Sequence, residues 1–320
     1  MAKVYGKHST AKEIAGDFSS TLTGKTVVVT GGNIGLGLES CKALVSVGAR
    51  VLLLSRSAKN AHAAIEAEVK KAGVTNYSVS DVTNLKVIEC DLTDLHSIKR
   101  AADEILKEPK IDILLNNAGV MAIPTRTETK YGWELQMATN NHGHFYLTSL
   151  LLDKLKSVNT ETRIINVSSL LHEKCRFDVT DLHSTKSYSP WLQYGNTKLA
   201  NVMYTNELAK RLKGSNVVTY SLHPGVIKTG LIRYYADTGS CFGQLILGIM
   251  GAFVFDKNIA EGAATSLYAC VCDAAKVKTG AYLFDCNEKV SSALSRNEEL
   301  ATQLWAATEK DIEVALKAAV

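Results

Sequence analysis

The sequence has no long run of basic or acidic residues, no Cys-x-x-Cys pair and no internal repeat. Its 36 Lys and Arg residues against 32 Asp and Glu leave a net charge of +4, which is spread along the chain. Proteins that bind nucleic acids or membrane surfaces concentrate their basic residues in one region. We therefore expect no nucleic-acid partner.

Cysteine occurs seven times, an odd number, and several of the thiols lie within apolar runs. This usage indicates free thiols in a reducing compartment rather than a disulfide framework. His142 and His144 flank a glycine, but no third ligand follows them at a spacing that a metal site would use. We therefore expect no bound metal.

The sequence also lacks the apolar segments that target or anchor a chain. Residues 1–20 contain no apolar core of the kind a signal peptide needs, and the longest apolar stretch, 242–255, is shorter than the ~20 residues that span a bilayer. We expect a cytoplasmic protein without a transmembrane anchor. The stretch 242–255 is compatible with a substrate lid, with core packing or with a weak peripheral membrane contact.

Apolar runs alternate with helix-forming segments from about residue 24 almost to the C-terminus. The runs are continuously apolar, which is typical of parallel strands buried on both faces. The sequence therefore predicts an α/β fold: a single Rossmann-type doubly wound parallel sheet with helices on both faces, preceded by a polar arm over 1–23. The predicted strands are 25–30, 50–54, 85–90, 111–115, 163–167, 217–222 and 281–284, and the predicted helices include 58–71, 95–107, 139–155 and 191–212.

A glycine-rich turn, T-G-G-N-I-G-L-G at residues 30–37, joins the first predicted strand to the first helix. Glycines there permit a tight turn and let the backbone approach a pyrophosphate, which then rests on the helix N-terminus. A turn without a ligand is the alternative, but the position directly after a β-branched strand favours the phosphate site. The residues expected to contact a cofactor here are Gly31, Asn33, Ile34, Gly35 and Gly37.

Further motifs follow in a fixed order. N-N-A-G at 116–119 ends the fourth predicted strand, Y-G-N-T-K at 194–198 has Y-x-x-x-K spacing, and a P-G pair follows the sixth strand. With the T-G-x-x-x-G-x-G turn, this order resembles the short-chain dehydrogenase/reductase family over about residues 24–290, and within it the branch of retinol dehydrogenases, the WW-domain oxidoreductase and protochlorophyllide reductase. The resemblance implies cofactor contacts from Asp91, Leu92, Asn117, Ala118, Gly119, Tyr194, Lys198, Pro224, Gly225 and Thr229.

The residue after the second strand bears on the choice between NAD and NADP. NAD-preferring sites place an acidic side chain there, which accepts hydrogen bonds from the ribose hydroxyls. This chain has Arg56, whose planar guanidinium can pair with a 2′-phosphate. A solvated surface arginine is the alternative, and we expect NADP(H).

Tyr194 and Lys198 lie four residues apart in a predicted helix, so both side chains share one face. A free phenol has a pKa of ~10. We expect the ammonium, together with the positive charge of an oxidised nicotinamide, to lower the pKa of Tyr194 toward neutrality, where proton transfer is efficient. An isolated Tyr/Lys match would be a surface pair. The resemblance implies two further catalytic residues: Ser169, which binds the substrate oxygen, and Asn140, which holds a water in a proton relay.

These observations imply an NADP(H)-dependent oxidoreductase that transfers a hydride between the nicotinamide and a carbonyl or alcohol group of an apolar small molecule. We expect one oxidoreductase domain over 24–320, with a substrate lid around 227–260. Two alternatives stay open: a sensor that binds NADP(H) with little chemistry, and a light-dependent reductase of the protochlorophyllide type. The long insertion at 171–190 is compatible with a pocket wall or with a block to oligomer contacts, and the oligomeric state stays open.

Overall fold

One sheet forms the centre of the structure, and its strands are the apolar runs of the sequence. The computed structural model describes residues 3–71, 83–227 and 257–318. The strands are β1 (Thr26–Thr30), β2 (Arg50–Ser55), β3 (Leu85–Glu89), β4 (Ile113–Asn116), β5 (Thr162–Val167), β6 (Val217–His223), β7 (Tyr282–Phe284) and β8 (Asn287–Lys289). They pair in the order β3–β2–β1–β4–β5–β6–β7–β8, and every pair is parallel except β7 with β8.

Helices cover both faces of this sheet. The described α-helices are α1 (Ala11–Asp17), α2 (Ser19–Leu22), α3 (Gly35–Ser46), α4 (Ala58–Lys71), α5 (Leu95–Ile105), α6 (Leu135–Met137), α7 (Gly143–Lys156), α8 (Pro190–Arg211), α9 (Ile259–Gly262), α10 (Ala264–Val271) and α11 (Glu298–Ala318). In β1, Val27 and Val29 belong to the core shared with α1, α3 and α10, whereas Val28 belongs to the core shared with α5, α7 and α11. All three valines are fully buried, and the predicted doubly wound α/β fold is confirmed.

The predicted strands agree with the structure to within one or two residues at each end, but a π-helical turn and a short strand were not among the predictions. A π-helical turn, Ala138–His142, precedes α7 where the sequence predicted a regular helix. The strand β8 was missed because its three residues are polar and exposed, so no apolar pattern marks it; its antiparallel pairing with β7 defines it instead.

The N-terminal segment is not only a polar arm, because it contains α1 and α2. The Thr10 hydroxyl accepts the backbone N–H of Glu13, and the Glu13 carboxylate accepts the N–H of Thr10, a capping box that starts α1. Ile14 is fully buried in the same core as Leu44 and Leu267. This helix was not predicted because so short a segment buries only a few residues on one face, and the polar residues around them dominate its composition.

No helix within residues 3–71, 83–227 or 257–318 combines the length and apolarity that a membrane span requires. The apolar stretch 242–255, interpreted as lid, core or membrane contact, lies outside the described residues, as does most of the predicted lid around 227–260. The two ends of that lid are described: Ile227 and Lys257 pair in a parallel β-bridge.

The packing of α1 predicts that Ile14→Ala lowers the free energy of unfolding by about 2–5 kcal/mol, because it removes buried methyl groups and leaves a cavity. Urea unfolding followed by circular dichroism measures the change. The matched control is Lys12→Ala on the exposed face of the same helix, which should stay within about 0.5 kcal/mol of the wild type. Equal stabilities for the two variants would contradict the packing of this segment.

Candidate active site

A crevice of about 530 Å³ opens at the carboxyl ends of the parallel strands. It lies where the strand order reverses between β1 and β4, because the chain leaves these two neighbouring strands toward opposite faces of the sheet. Ligands of doubly wound sheets bind at this switch point. Helix α3 begins at the crevice, and the backbone N–H groups of its first turn are available to bind an anion.

The turn between β1 and α3 requires glycine for two different reasons. Gly31 and Gly35 have φ angles of 65° and 56°, in the left-handed region that favours glycine. Gly37 has no room for a side chain, because a Cβ there would lie 2.3 Å from the Gly31 carbonyl oxygen and 2.5 Å from Asn117 Nδ2. The backbone of the turn is therefore held against the loop after β4, which leaves space for a ligand above both.

Most of the residues predicted to bind a cofactor line this crevice. They are Gly31, Asn33, Ile34, Gly35, Gly37, Arg56, Asp91, Leu92, Asn117, Ala118, Gly119, Tyr194, Lys198 and Pro224. The crevice is also lined by residues that the motifs did not indicate, among them Ser55, Asn60 and Thr139. The position of Ser55 at the end of β2 was a signal that could have identified it.

Two predicted cofactor residues are not among the residues that line the crevice. The first is Gly225, whose backbone (φ 105°) packs against Lys257, so that a Cβ at Gly225 would lie 2.6 Å from Lys257 Cδ. The Lys257 ammonium is paired with Asp285. Thr229 lies outside the described residues, so its predicted contact with the cofactor stays a prediction.

The end of the crevice near β2 carries positive charge. Arg56 is exposed and lines the crevice, and of the described lining residues Asp91 is the only carboxylic acid. One oxygen of Asp91 is already engaged, because it accepts the backbone N–H and the hydroxyl of Thr93 at 2.9 and 2.7 Å. Of the described lining residues, Asp91 alone could oppose a 2′-phosphate beside Arg56, and Thr93 already occupies one of its oxygens.

Tyr194 and Lys198 share one face of α8, as the spacing predicted, and the Lys198 ammonium lies 5.5 Å from the centroid of the Tyr194 ring. Lys198 Nζ donates to the carbonyl oxygen of Val167 at 3.0 Å. The Ser169 hydroxyl lies close enough to Tyr194 to lower the pKa of its phenol, and it accepts the backbone N–H of Leu171 at 3.2 Å. Ser168 instead donates to the Lys198 carbonyl at 2.7 Å, which ties β5 to α8.

Burial is the largest cause of the pKa shifts of this pair. It raises the pKa of Tyr194 to about 12, although the Ser169 hydroxyl acts in the opposite direction. Burial also lowers the pKa of Lys198 to about 8. The predicted depression of the tyrosine pKa, which depends in part on the positive charge of an oxidised nicotinamide, stays a prediction.

Asn140 is fully buried in the π-helical turn and does not line the crevice. Its side chain pairs with the peptide groups of Val120, accepting the N–H at 2.8 Å and donating to the carbonyl at 2.9 Å. Asn140 Nδ2 also donates to Thr197 Oγ1 at 2.9 Å. Gly119 separates it from Lys198: a Cβ at Gly119 would lie 3.3 Å from Asn140 Oδ1 and 3.6 Å from Lys198 Nζ.

A second polar cluster, His142, His183 and Asp311, escaped the sequence reasoning, which sought a third ligand near His142 in the chain. Asp311 Oδ2 lies 3.1 Å from His142 Nε2 and 3.0 Å from His183 Nε2, a set of donors that could hold a metal ion. However, His183 Nδ1 accepts the backbone N–H of Glu134, so the neutral ring carries its proton on Nε2. That proton points at Asp311, and the arrangement fits a carboxylate bound by two imidazoles better than a metal centre.

Comparisons with known proteins agree with this geometry. A family model described as short chain dehydrogenase matches residues 25–238. Human retinol dehydrogenase 11 is 39% identical over 288 residues, which cover 89% of this chain and 84% of that protein. Human retinol dehydrogenase 12 is 40% identical over 288 residues, covering 89% of this chain and 85% of that protein.

Solved structures show the same fold. An uncharacterised protein from Mycobacterium paratuberculosis is 31% identical with a TM-score of 0.69, and the match covers 92% of this chain and 97% of that one. The RhlG/NADP active-site complex of Pseudomonas aeruginosa is 23% identical with a TM-score of 0.61, covering 82% and 94%. At that level of identity the second match concerns the fold alone.

The crowding at Gly37 predicts that Gly37→Ala weakens the binding of a nicotinamide dinucleotide by about 10-fold or more, equivalent to ~1.4 kcal/mol. The added methyl group displaces the turn from the loop after β4. Isothermal titration calorimetry measures the affinity. The control is Gly16→Ala, where a Cβ meets nothing within 4 Å; equal affinities for the two variants would exclude this turn from the binding site.

Proposed function

The chain belongs to the short-chain dehydrogenase/reductase family, in its retinol dehydrogenase-like branch, and is an oxidoreductase; from this premise we propose that it transfers a hydride between NADP(H) and a carbonyl or alcohol group of an apolar small molecule. The observation that carries the proposal is the position of Tyr194 and Lys198 in the same crevice as the glycine turn.

The proposed chemistry divides between cofactor and protein. The nicotinamide, when bound, supplies the hydride for carbonyl reduction and accepts it in alcohol oxidation. Tyr194 donates its proton to the carbonyl oxygen, and Ser169, which lies close enough to Tyr194 to influence its pKa, binds the same oxygen. A pKa of about 12 keeps Tyr194 protonated at neutral pH, so the proton that it would donate is present when a carbonyl binds. Lys198 stabilises the phenolate that remains.

The proposed role of Asn140 is to support this pair rather than to contact the substrate. Asn140 is hydrogen-bonded to Thr197, next to Lys198 in the chain, and Gly119 lies between Asn140 and the Lys198 ammonium. From there it can hold the loop after β4 at the correct distance from α8. In the proposed relay, Asn140 belongs to the path by which a proton returns to Tyr194 through Lys198.

The preference for NADP(H) rests on Arg56. A guanidinium binds a phosphate through paired, charge-assisted hydrogen bonds, whereas the ribose hydroxyls of NAD favour an acidic partner. Arg56 lines the crevice without a carboxylate partner among the lining residues near β2. Lys59, one turn further on, is exposed and can add to the local positive charge.

The proposal of an apolar substrate rests on the relatives. Two of them are named retinol dehydrogenases, and retinol is a long, apolar alcohol. We also propose a cytoplasmic location, which the free thiols favour: Cys41, Cys90, Cys175, Cys270, Cys272 and Cys286 are all unbridged. Fractionation of cells that express the chain tests the location.

The mechanism predicts that Tyr194→Phe lowers kcat for NADPH-dependent carbonyl reduction by at least about 100-fold, because the proton donor is lost. The affinity for NADPH should stay close to that of the wild type. NADPH oxidation with a panel of aldehydes and ketones, from retinal to short polar aldehydes, measures both the activity and the substrate class.

The matched control for this experiment is Tyr204→Phe, which removes another buried hydroxyl from the same helix. Tyr204 is not among the residues that line the crevice. Near-wild-type turnover by Tyr194→Phe would refute the assignment, and a wild-type protein that binds NADPH but reduces none of the panel would favour a sensor.

The position of Arg56 predicts that Arg56→Ala weakens NADPH binding by about 10- to 100-fold, because hydrogen bonds to charged groups contribute roughly 1.5–3 kcal/mol. NADH lacks the 2′-phosphate, so its affinity should change by less than about 2-fold. Titrations with both cofactors measure this, with Arg100→Ala on the exposed side of α5 as the control. Equal losses for NADPH and NADH would rule out a specific phosphate contact.

A further inference from the structure

His144 is a buried histidine that the proposed mechanism does not use. It lies in the first turn of α7, and its ring is hydrogen-bonded on both nitrogen atoms. His144 Nε2 lies 2.8 Å from Thr30 Oγ1, at the end of β1. His144 Nδ1 lies 3.1 Å from the carbonyl oxygen of Asn140. One imidazole therefore connects two elements: β1, which leads into the glycine turn, and the π-helical turn.

The partners of Thr30 determine which ring nitrogen carries the proton. Thr30 Oγ1 accepts the backbone N–H groups of Asn117 and Ala118, each at 2.9 Å. Both lone pairs of the hydroxyl are then used, so its own proton points to His144 Nε2. Nε2 is therefore an acceptor, and the ring proton is on Nδ1, where it is donated to the Asn140 carbonyl. The opposite tautomer would place two lone pairs against each other at Asn140.

His144 is neutral at physiological pH because it has no access to solvent. Burial, together with the nearby charge of Lys198, lowers its pKa to about 4, although the bond to Asn140 acts in the opposite direction. A close approach of backbones holds the ring in place: a Cβ at Gly143 would lie 2.3 Å from the Leu92 carbonyl oxygen. The start of α7 is thus fixed against the loop after β3.

The bonds continue from His144 to the backbone of the helix that carries the reacting groups. Asn140 donates to Thr197 Oγ1, and the Thr197 hydroxyl donates to the Tyr194 carbonyl oxygen at 2.8 Å. We propose that His144 is a positioning residue: through Thr30 on one side and Asn140 on the other, it fixes the position of the cofactor-binding loops relative to the helix that carries Tyr194 and Lys198. This inference rests on the proposed function for its effect on turnover, but not for the tautomer of the ring.

The first test compares turnover in variants of the two bonded side chains. His144→Leu and Thr30→Val should each lower kcat for carbonyl reduction by about 10- to 100-fold, because each removes buried hydrogen bonds, while KM for the carbonyl changes by less than about 3-fold. His144→Gln, which keeps one donor and one acceptor, should recover most of the loss. The double variant should lose little more than either single variant, because both act on one unit.

The matched control is Thr162→Val, which removes a buried threonine hydroxyl at the opposite end of the sheet, where it donates to the Leu155 carbonyl. It should lower stability without changing kcat. If His144→Leu and Thr30→Val behave as Thr162→Val does, with reduced stability and unchanged kcat, then His144 only packs the core and the proposal is overturned. If His144→Leu does not fold, the result for Thr30→Val decides.

The second test is independent of activity. Nitrogen chemical shifts of the His144 ring, identified by their loss in His144→Gln, should show a neutral ring protonated on Nδ1 that does not titrate between neutral pH and about pH 5. A ring protonated on Nε2, or one that titrates near pH ~6.5, would overturn the proposal. A wild-type protein that reduces no carbonyl yet shows the expected shifts would refute the proposed function and leave the hydrogen-bond geometry intact.

Discussion

The close approach of two backbones at the ends of β1 and β4 is the constraint on which the crevice depends. Gly31 has room for no side chain, because a Cβ there would lie 2.9 Å from the Cα of Ala118. The Thr30 hydroxyl oxygen binds the loop after β4 by accepting two of its backbone N–H groups, those of Asn117 and Ala118. The contact holds the floor of the crevice while α3 points its N-terminus into it, so that a phosphate-binding end and a reacting end share one rigid edge of the sheet.

Burial then sets the chemistry that this edge can support. It raises the pKa of Tyr194 and lowers that of Lys198, because each charged form loses its hydration. The phenol of Tyr194 therefore holds its proton firmly, whereas the Lys198 ammonium, with a pKa of about 8, loses its proton only slightly above neutral pH. In the proposed mechanism, the free structure is thus set to donate a proton to a carbonyl, and alcohol oxidation depends on additional positive charge to release that proton.

The sequence predicted the sheet well because its strands are buried on both faces, so that each one is a continuous apolar run. It predicted the crevice because the glycine and Tyr/Lys motifs lie at strand ends and on one helix face. Features that depend on contacts between distant residues were missed. Asp311 meets His142 and His183 across 169 and 128 residues, and no local pattern marks such a pairing. The capping box of α1 was readable, but its burial against α3 and α10 was not.

The two histidines of the His-Gly-His segment show how position rather than residue type decides the role of a buried imidazole. His142 faces the carboxylate of Asp311, whose negative charge can interact favourably with the imidazole. His144 faces a hydroxyl and a carbonyl and lies close enough to Lys198 for their charges to interact. A second positive charge beside Lys198 would lower its pKa further and so disfavour the ammonium that the proposed mechanism requires. The residue that joins Thr30 to Asn140 must therefore donate and accept hydrogen bonds without carrying charge, which a lysine or arginine at position 144 could not do.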